Sequence, residues 1–240
     1  MARGGGAEAA TERICPLGVC DGSGWILGPE DVARPCDCRE ERLRRARTRG
    51  IASVIPAKYR GVSFDRPPVT EIEPMVVRVV RSYVEDLDAN LDAGKGLWLM
   101  GDTGTGKTTL AMLISKQVLA SGRAVAIYSL PKLLARIRRT YDAEPGQDSY
   151  LALFEQLTSV DLLHIDDLGA EKRSDWVLEQ LYALVNERYE AQRPILITTN
   201  LDQAALEEQI GPRTVSRLVE ICGDPLPLFG EDRRIRVGGA

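Results

Sequence analysis

The sequence predicts an α/β fold: a three-layer domain with a parallel β-sheet between helices, preceded by a small cysteine-rich module. Three features of the 240-residue chain lead to this prediction. Short apolar segments typical of buried strands alternate with amphipathic helical segments. One strand, 97–100, runs into a glycine-rich turn, and another, 161–165, ends in two carboxylates. Open α/β sheets bind ligands at the carboxyl ends of their strands, so we expect a ligand site at that edge.

The composition is that of an ordinary soluble protein, with 44% hydrophobic residues, 28% charged residues and a net charge of −4. Positive charge is concentrated in the first 60 residues, where 11 Lys/Arg stand against 8 Asp/Glu. No apolar run approaches the about 20 residues of a membrane span. The first residues also lack the apolar core of a signal peptide. We therefore expect a cytoplasmic protein, whose five cysteines indicate metal binding or free thiols rather than disulfides.

After a glycine- and alanine-rich segment that we expect to be disordered (1–13), four cysteines fall within a module that we place at 14–50. Their spacing is C-x₄-C followed by C-x-C, not the usual C-x₂-C. Four thiolates can complete a tetrahedral structural zinc site. A module with so few apolar residues needs a cross-link of this kind to be stable. A loop with free cysteines is the alternative. The candidate Zn²⁺ ligands are Cys15, Cys20, Cys36 and Cys38.

A basic segment follows the cysteines. Residues 39–49 read as a charged helix that Gly50 would end. Such a run is either a solvated helix face or an arm that contacts nucleic acid or a partner protein. Residues 51–70 contain Pro56 and end on Pro67-Pro68, so we interpret them as a linker and place the second domain at 71–240.

Apolar residues at helical spacing predict a helix over 73–91, and a strand over 97–100 then leads into a glycine-rich turn. The turn fits G-x-x-x-x-G-K-[ST], the phosphate-binding P-loop. Its glycines allow backbone N–H groups to surround phosphate, and the following helix points its positive end there. Lys107 would add a charge for the β- and γ-phosphates, and Thr108 a hydroxyl for Mg²⁺. A turn without a ligand is the alternative. The candidate nucleotide-binding residues are Gly101, Asp102, Thr103, Gly104, Thr105, Gly106, Lys107, Thr108 and Thr109.

A short strand over 124–128 is followed by a predicted helix over 129–140. Lys132, Arg136 and Arg139 share one face of this helix at i, i+4 and i+7. Clustered cations of this kind suit DNA phosphates, so we regard the three as candidate DNA contacts; a solvated face is the alternative. We expect 141–149 to be a mobile polar loop.

The second chemical motif is a strand that ends at Asp166 and Asp167. This is the form of a Walker B element, in which the first acid acts on Mg²⁺ and a neighbouring acid polarises the attacking water. The chain's single histidine, His164, lies within this strand, and we interpret it as a core residue rather than a base.

Two further elements carry candidate residues. Ser174 would cap a helix running to about Ala191, and a buried strand over 194–199 would present Asn200 to water and the γ-phosphate. Pro212 would begin another helix, on which Arg213 and Arg217 share a face. Residues 225–229 or 234–237 would supply a last strand, and Cys222 would be a buried thiol.

The order of these motifs resembles that of AAA+ ATPases, and more narrowly that of bacterial replicative helicase loaders of the DnaC/DnaI type, over about residues 14–237. The most specific matching parts are the cysteine cluster with its Gly-Ser-Gly, the segment 55–60 with Ser63-Phe64, and the segment 165–171.

The resemblance implies roles for individual residues. The P-loop would bind ATP, Asp166 would hold Mg²⁺ through water, and Asp167 would occupy the position of the catalytic acid. Asn200 matches the sensor-1 position, and Arg217 matches the arginine finger that reaches the ATP of a neighbouring subunit. In this family the zinc-bearing N-terminal region grips the hexameric helicase. The self-associated ATPase domains contact single-stranded DNA.

The chain also departs from the family pattern. Asp167 stands where Glu is commoner and is shorter by one methylene, which predicts slow, assembly-dependent hydrolysis; Glu171 is a reserve candidate. The chain stops near residue 240, so we expect no C-terminal helical lid.

Our first functional hypothesis is an ATP-dependent helicase loader, in which ATP binding and hydrolysis switch the interactions with helicase and DNA. The alternatives are an IstB-type transposition helper ATPase, a nucleotide-gated scaffold that hydrolyses ATP poorly and, more distantly, a P-loop kinase acting on a small molecule.

Overall fold

The structure is a computed structural model that describes residues 15, 17–28, 32–39, 55–141 and 149–232. It divides into two compact units, residues 1–49 and 50–240. Four predictions lie wholly or mostly outside the described residues: the disordered segment 1–13, the charged helix 39–49, the loop 141–149 and the alternative last strand at 234–237.

The N-terminal unit contains an antiparallel hairpin of β1 (Trp25–Leu27) and β2 (Ala33–Pro35). The buried residues of this unit are mainly thiols: Cys15, Cys36 and Cys38 form a cluster, against which Cys20 and Ile26 pack. A unit with so small an apolar core needs a further cross-link to be stable.

The C-terminal unit is built on a five-stranded sheet in which every pair of neighbouring strands is parallel. The order of the strands is β4-β5-β6-β3-β7. All carboxyl ends therefore meet at one edge, and the predicted fold class is confirmed. The strands are β3 (Leu97–Gly101), β4 (Val125–Ser129), β5 (Leu162–Asp166), β6 (Ile195–Thr199) and β7 (Leu226–Leu228).

Helices cover both faces of this sheet, as expected for parallel strands that are joined by crossovers. Short 3₁₀ turns lie at Ala57–Tyr59 and Val69–Glu71. The described α-helices are α1 (Pro74–Glu85), α2 (Leu87–Asp92), α3 (Lys107–Ala120), α4 (Leu130–Arg139), α5 (Tyr150–Ser159), α6 (Asp175–Glu190), α7 (Gln203–Ile210) and α8 (Pro212–Cys222).

The single helix that we predicted over 73–91 is wrong, because the chain breaks at Asp86. The Asn90 side chain donates to the carbonyl of Tyr83 at 3.1 Å, and the Tyr83 hydroxyl donates to the carbonyl of Lys95 at 2.7 Å. These side-chain bonds hold the bend between α1 and α2. Apolar periodicity does not reveal the break, because both helices bury the same kind of residue.

The sheet separates two apolar layers. Trp98 faces a layer that contains residues of α4 to α8, whereas Leu97 and Leu99 face a layer formed with α1, α2 and α3. This alternation follows from the period of two of a β-strand. Ile55, Val62 and Val69 are buried in the second layer, so the described part of the segment that we interpreted as a linker is packed within the C-terminal unit. Among the described residues, no helix is long and apolar enough to cross a lipid bilayer.

Candidate functional site

The P-loop is the turn that joins β3 to α3. Its glycines Gly101, Gly104 and Gly106 have φ values of 139°, 80° and 107°, which side chains rarely tolerate. The space around them is also occupied, because a Cβ on Gly106 would lie 2.4 Å from Ile72 Cδ1. The glycines are therefore required by the conformation of the loop and by the side chain packed behind it.

Lys107 lies at the centre of the loop with only 5% of its surface exposed. Its Nζ donates to the carbonyl of Gly101 at 2.8 Å and to the carbonyl of Asp102 at 2.6 Å. Thr105 Oγ1 donates to the same Asp102 carbonyl at 2.8 Å. The loop is thus already closed around a positive charge, as a site for an anion requires.

Thr108 and Asp166, the two predicted magnesium ligands, are in contact. Thr108 Oγ1 donates to Asp166 Oδ1 at 3.0 Å, although the residues are 58 positions apart in the sequence. Thr198 Oγ1, on β6, donates to the same carboxylate oxygen at 2.7 Å. Mg²⁺ prefers oxygen ligands of this type, and one or two protein ligands are usual beside a nucleotide. The donor set at this edge of the sheet therefore fits Mg²⁺.

Asp167 follows the end of β5 in a left-handed conformation, with φ 56°. Its backbone N–H donates to Thr198 Oγ1 at 2.9 Å, and the next N–H, that of Leu168, donates to the Thr198 carbonyl at 2.8 Å. These bonds hold a conformation that costs free energy in a residue with a side chain. Asp167 lines a cavity over the P-loop together with Lys107 and Thr108. The strained turn therefore places an acid beside the P-loop.

A cavity of about 310 Å³ lies over the P-loop, and it brings together most of the predicted site. Three lining residues, Lys58, Tyr59 and Ala170, were not among the predicted site residues. The Lys58 ammonium lies 4.5 Å from the ring centroid of Tyr59. Lys116 on α3 fastens this segment by donating to the carbonyls of Arg60 and Val62 at 3.0 and 2.9 Å. The lining residues are Lys58, Tyr59, Thr103, Gly104, Gly106, Lys107, Thr108, Thr109, Asp167, Ala170 and Asn200.

Arg217, the predicted arginine finger, does not line this cavity. Its guanidinium donates to Glu220 Oε1 at 3.0 Å and lies 4.1 Å from the ring centroid of Tyr189. The Tyr189 hydroxyl donates to Glu220 Oε2 at 2.6 Å. The hydrogen bond from Tyr189, followed by the one from Arg217, lowers the pKa of the Glu220 carboxyl. The structure thus holds Arg217 at the surface of α8, away from the P-loop of its own chain.

His164 is fully buried, as expected for a core residue. Its Nδ1 is 2.9 Å from Ser115 Oγ on α3. Its Nε2 lies 4.0 Å from Asp166 Oδ1 and has no hydrogen-bond partner. Burial lowers the pKa of His164 to about 3, so the ring is neutral at physiological pH.

Two arginines of α4 contact aromatic residues: Arg136, which belongs to the predicted basic face, and Arg138, which does not. Lys132 and Arg139 are exposed, whereas Arg136 donates to the Tyr128 hydroxyl. The Arg138 guanidinium lies 4.6 Å from the ring centroid of Trp176. Three further ring pairs extend this group, with centroid distances of 5.6 Å for Tyr141–Tyr150, 5.7 Å for Tyr150–Phe154 and 6.4 Å for Tyr141–Trp176.

In the N-terminal unit, the four predicted zinc ligands come together. The sulfur atoms of Cys15, Cys20, Cys36 and Cys38 all lie within 4.8 Å of one another. The Cys15–Cys36 and Cys20–Cys38 distances are 3.9 and 3.5 Å, close to the about 3.8 Å between thiolates around a tetrahedral zinc ion. The residues present therefore fit Zn²⁺.

A parallel sheet with a P-loop after one strand, an acid pair after β5 and Asn200 after β6 defines the AAA+ class of ATP-binding proteins. Comparison with known sequences agrees. The family described as IstB-like ATP binding protein matches residues 63–219, and the chain belongs to that family.

The relatives of the chain include helicase loaders. The replicative helicase loader DnaC of Escherichia coli (strain K12) is 26% identical over 181 residues, which cover 75% of this chain and 72% of DnaC. The phage-like element PBSX protein XkdC of Bacillus subtilis (strain 168) is 28% identical over 238 residues, which cover 93% of this chain and 85% of XkdC.

The crystal structure of the DnaC helicase loader has the same fold. It superposes with a TM-score of 0.60 at 24% identity and covers 73% of this chain and 100% of its own. The predicted resemblance to the DnaC/DnaI type is confirmed.

Proposed function

We propose that this protein is an ATP-dependent loader that places a replicative hexameric DNA helicase on single-stranded DNA. The observation that carries the proposal is that five predicted site residues meet at the edge of the sheet formed by the carboxyl ends of its strands. They are Lys107, Thr108, Asp166, Asp167 and Asn200. Relatives named as replicative helicase loaders support the assignment of such a site to loading.

In the proposed site, the N–H groups of the P-loop and Lys107 bind the phosphates of ATP. Lys107 then exchanges the carbonyls of Gly101 and Asp102 for phosphate oxygens. Thr108 and Asp166 hold Mg²⁺, which neutralises charge on the triphosphate when it is bound. Lys58 and Tyr59, which also line the cavity, contact the nucleoside.

Hydrolysis in this proposal is slow until subunits assemble. Asp167 orients the attacking water, and Asn200 contacts the water and the γ-phosphate; both line the cavity. Among the described residues, the side-chain cations that line the cavity are Lys58 and Lys107, and no arginine lines it. Arg217 of a neighbouring subunit would supply the arginine that stabilises the charge of the transition state, which makes hydrolysis dependent on self-association.

The N-terminal unit is the proposed grip on the helicase. Among the described residues of this small unit, four large apolar side chains are exposed: Leu17 by 55%, Val19 by 53%, Trp25 by 40% and Val32 by 64%. Val19 and Trp25 line the same open cavity, and adjoining exposed apolar side chains are typical of a protein interaction surface. The zinc site would hold this surface in shape, because the core formed by the described residues of the unit consists mainly of thiols.

The proposed DNA surface combines the charges of α4 with the aromatic group beside it. Single-stranded nucleic acid is bound by cations that follow the phosphates and by rings on which bases stack. Lys132 and Arg139 supply exposed cations, and Tyr141, which is 55% exposed, supplies a ring. We expect little sequence preference, because phosphate contacts carry no sequence information.

The IstB-type transposition helper is the second candidate, since the matching family takes its description from such proteins. The relatives named as helicase loaders favour loading over transposition. A small-molecule kinase would form a phosphorylated product, whereas an ATPase releases inorganic phosphate.

Copurification with the replicative helicase of the host, in ATP and in ADP, tests the proposed function. We expect a complex whose yield depends on which nucleotide is present. Lys107→Ala should remove that dependence, because the variant no longer binds the phosphates, while leaving the N-terminal unit intact. Absence of any complex with the wild-type chain would contradict helicase loading.

A further inference from the structure

His164 occupies a position behind the proposed magnesium ligands that its role as a core residue does not explain. The ring lies on β5 two residues before Asp166, and its Nε2 is 4.0 Å from Asp166 Oδ1. Among the described side chains, Nε2 is one of four buried polar atoms without a hydrogen-bond partner. Leaving such an atom unpaired costs free energy, so its location beside a carboxylate needs an explanation.

The contact with Ser115 and the charge of Asp166 together select one tautomer of the neutral ring. Ser115 Oγ, 2.9 Å from Nδ1, can either donate to Nδ1 or accept from it. If Nδ1 carried the proton, the lone pair of Nε2 would face the negative carboxylate, which is repulsive. If Nε2 carries the proton, Ser115 donates to Nδ1 and the N–H dipole points towards Asp166. The second arrangement is favourable at both nitrogens.

In the structure, Asp166 Oδ1 accepts hydrogen bonds from Thr108 at 3.0 Å and Thr198 at 2.7 Å. In the proposed function, the Thr108 oxygen would bind Mg²⁺ through a lone pair, so its O–H would remain available to Asp166. The Nε2–H of His164 is a further buried donor close to Asp166 Oδ1. Shortening 4.0 Å to the about 2.9 Å of a hydrogen bond needs a shift of about 1 Å.

We propose that His164 is a positioning residue for Asp166, donating its Nε2–H to the carboxylate when nucleotide and Mg²⁺ are bound. The inference rests on the proposed function, because it assigns Mg²⁺ and nucleotide to the Thr108–Asp166 edge. His164 touches neither nucleotide nor metal. It orients the carboxylate, as groups behind metal ligands commonly do.

Nitrogen NMR of the wild-type chain tests the tautomer directly, because the protein contains one histidine. With ¹⁵N-labelled histidine, we expect a protonated Nε2 and an unprotonated Nδ1 in the absence of nucleotide. Addition of Mg²⁺ and a non-hydrolysable ATP analogue should shift the Nε2–H proton downfield. A proton on Nδ1, or an Nε2–H resonance that the ligands do not move, would overturn the inference.

Two isosteric variants test the role of each nitrogen in metal binding. In His164→Gln the side-chain amide reaches the position of Nε2 and keeps a donor towards Asp166. In His164→Asn the amide reaches only the position of Nδ1 and loses that donor. A fluorescent ATP analogue is titrated with Mg²⁺, and the measured quantity is the Mg²⁺ concentration at which the Mg²⁺-dependent binding of the analogue is half complete. We expect about a tenfold rise for His164→Asn and a value near wild type for His164→Gln.

Binding of the same analogue in EDTA separates this inference from the proposed function. All three proteins should bind it equally without Mg²⁺, because the P-loop is unchanged. Failure of the wild type to bind the analogue at all would contradict the ATP site itself. A normal wild type with identical Mg²⁺ dependence in the three proteins, or with equal defects in both variants, would overturn only the role of Nε2. If either variant does not fold, the NMR measurement decides.

Discussion

Thr198 shows how single residues outside the sequence motifs shape the candidate site. Its hydroxyl donates to Asp166 Oδ1 and accepts from the Asp167 N–H, so one side chain on β6 holds both acids at the end of β5. The strained φ of Asp167 is supported by this bond. Asp166 and Asp167 are recognisable in the sequence, whereas the residue that positions them lies more than 30 residues further along the chain.

Replacement of Arg217 by alanine tests whether the nucleotide site is completed by another subunit. Arg217 lies on the surface and does not line the cavity of its own chain, so Arg217→Ala should leave ATP affinity unchanged. Turnover by the assembled protein should fall by about 10³-fold, as for arginine fingers in general. The effect is measured as steady-state phosphate release at two protein concentrations, one at which the subunits assemble and one at which they do not.

Arg213 provides the control for Arg217. It is exposed on the same helix one turn earlier, so Arg213→Ala removes an equal charge from α8. We expect its turnover to stay near wild type. Unchanged turnover in assembled Arg217→Ala, or an equal loss in both variants, would contradict the assigned role.

Arg188 carries a structural role that is equally invisible in the sequence. Its guanidinium is fully buried and donates to four carbonyls: those of Leu157, Thr158 and Val160 around the end of α5, and that of Pro194 before β6. Burial lowers the pKa of Arg188 to about 9, which still leaves the group charged at neutral pH. One side chain thus satisfies carbonyls that the end of a helix leaves unpaired.

Arg188→Met should lower the free energy of unfolding by about 3 kcal/mol or more, because the carbonyls it satisfies would be buried without partners. Urea unfolding followed by circular dichroism measures the loss. Arg193→Met is the matched control: Arg193 is 37% exposed and 4.0 Å from Asp161, so its effect should stay below about 1 kcal/mol. Equal losses in the two variants would contradict the capping role.

At the scale of secondary-structure elements, α4 and the start of α6 form one surface although the sequence separates them. Arg138 of α4 lies over Trp176 of α6, and Tyr141 at the end of α4 contacts the same indole. The two kinds of side chain make different contributions to nucleic-acid binding. Cations set its salt dependence, whereas rings add affinity that depends less on salt.

Replacing both Lys132 and Arg139 with alanine should flatten the salt dependence of single-stranded DNA binding. Two lost phosphate contacts should lower the slope of log K against log salt by about 1.4. Tyr141→Ala should instead weaken binding by about 1–3 kcal/mol with little change of slope. Fluorescence anisotropy with a labelled oligonucleotide at several salt concentrations measures both.

A variant with equal charge loss serves as the control for the DNA surface. Arg66 and Arg78 are exposed, and Arg78 lies on α1, which packs on the other face of the sheet from α4. The double alanine variant at these positions should keep the wild-type slope. If it flattens the slope as much as the α4 variant, binding follows net charge rather than this surface.

At the scale of the whole molecule, the chain consists of two compact units with different kinds of core. The larger unit is held by two apolar layers on a sheet, and the smaller one by a cluster of thiols. Stability of the smaller unit should therefore depend on metal, while nucleotide binding by the larger unit should not.

Removal of zinc tests this division of roles. Wild-type protein should contain about one zinc ion per chain by elemental analysis. The double variant Cys36→Ser, Cys38→Ser should contain none and lose helicase binding, with ATP affinity unchanged by calorimetry. Cys222→Ser, which changes a buried thiol outside the cluster, should keep the metal. Zinc well below one ion per wild-type chain, or a parallel loss of ATP binding in the double variant, would contradict the interpretation.

Local sequence was sufficient for much of the fold and for the chemical groups of the site. The strands and the P-loop are short segments that are recognised by patterns among neighbouring residues: apolar runs for the strands and spaced glycines for the P-loop. They could therefore be predicted. Ser174 caps α6, and Pro212 begins α8, as expected. Two helices, α5 and α7, were not predicted, although the side chains of Ser149 and Asp202 cap them and each buries two apolar residues at i and i+4.

The sequence by itself determined which side chains can bind phosphate, magnesium and zinc, because those capacities reside in residue type and short spacing. Only the tertiary structure decided which of them meet. It placed Thr108 against Asp166, brought Lys58 and Tyr59 over the P-loop, and held Arg217 on Tyr189 and Glu220. Such contacts join residues that are distant in the chain. They depend on the order of strands in the sheet and on packing between layers, which no local pattern of residues specifies.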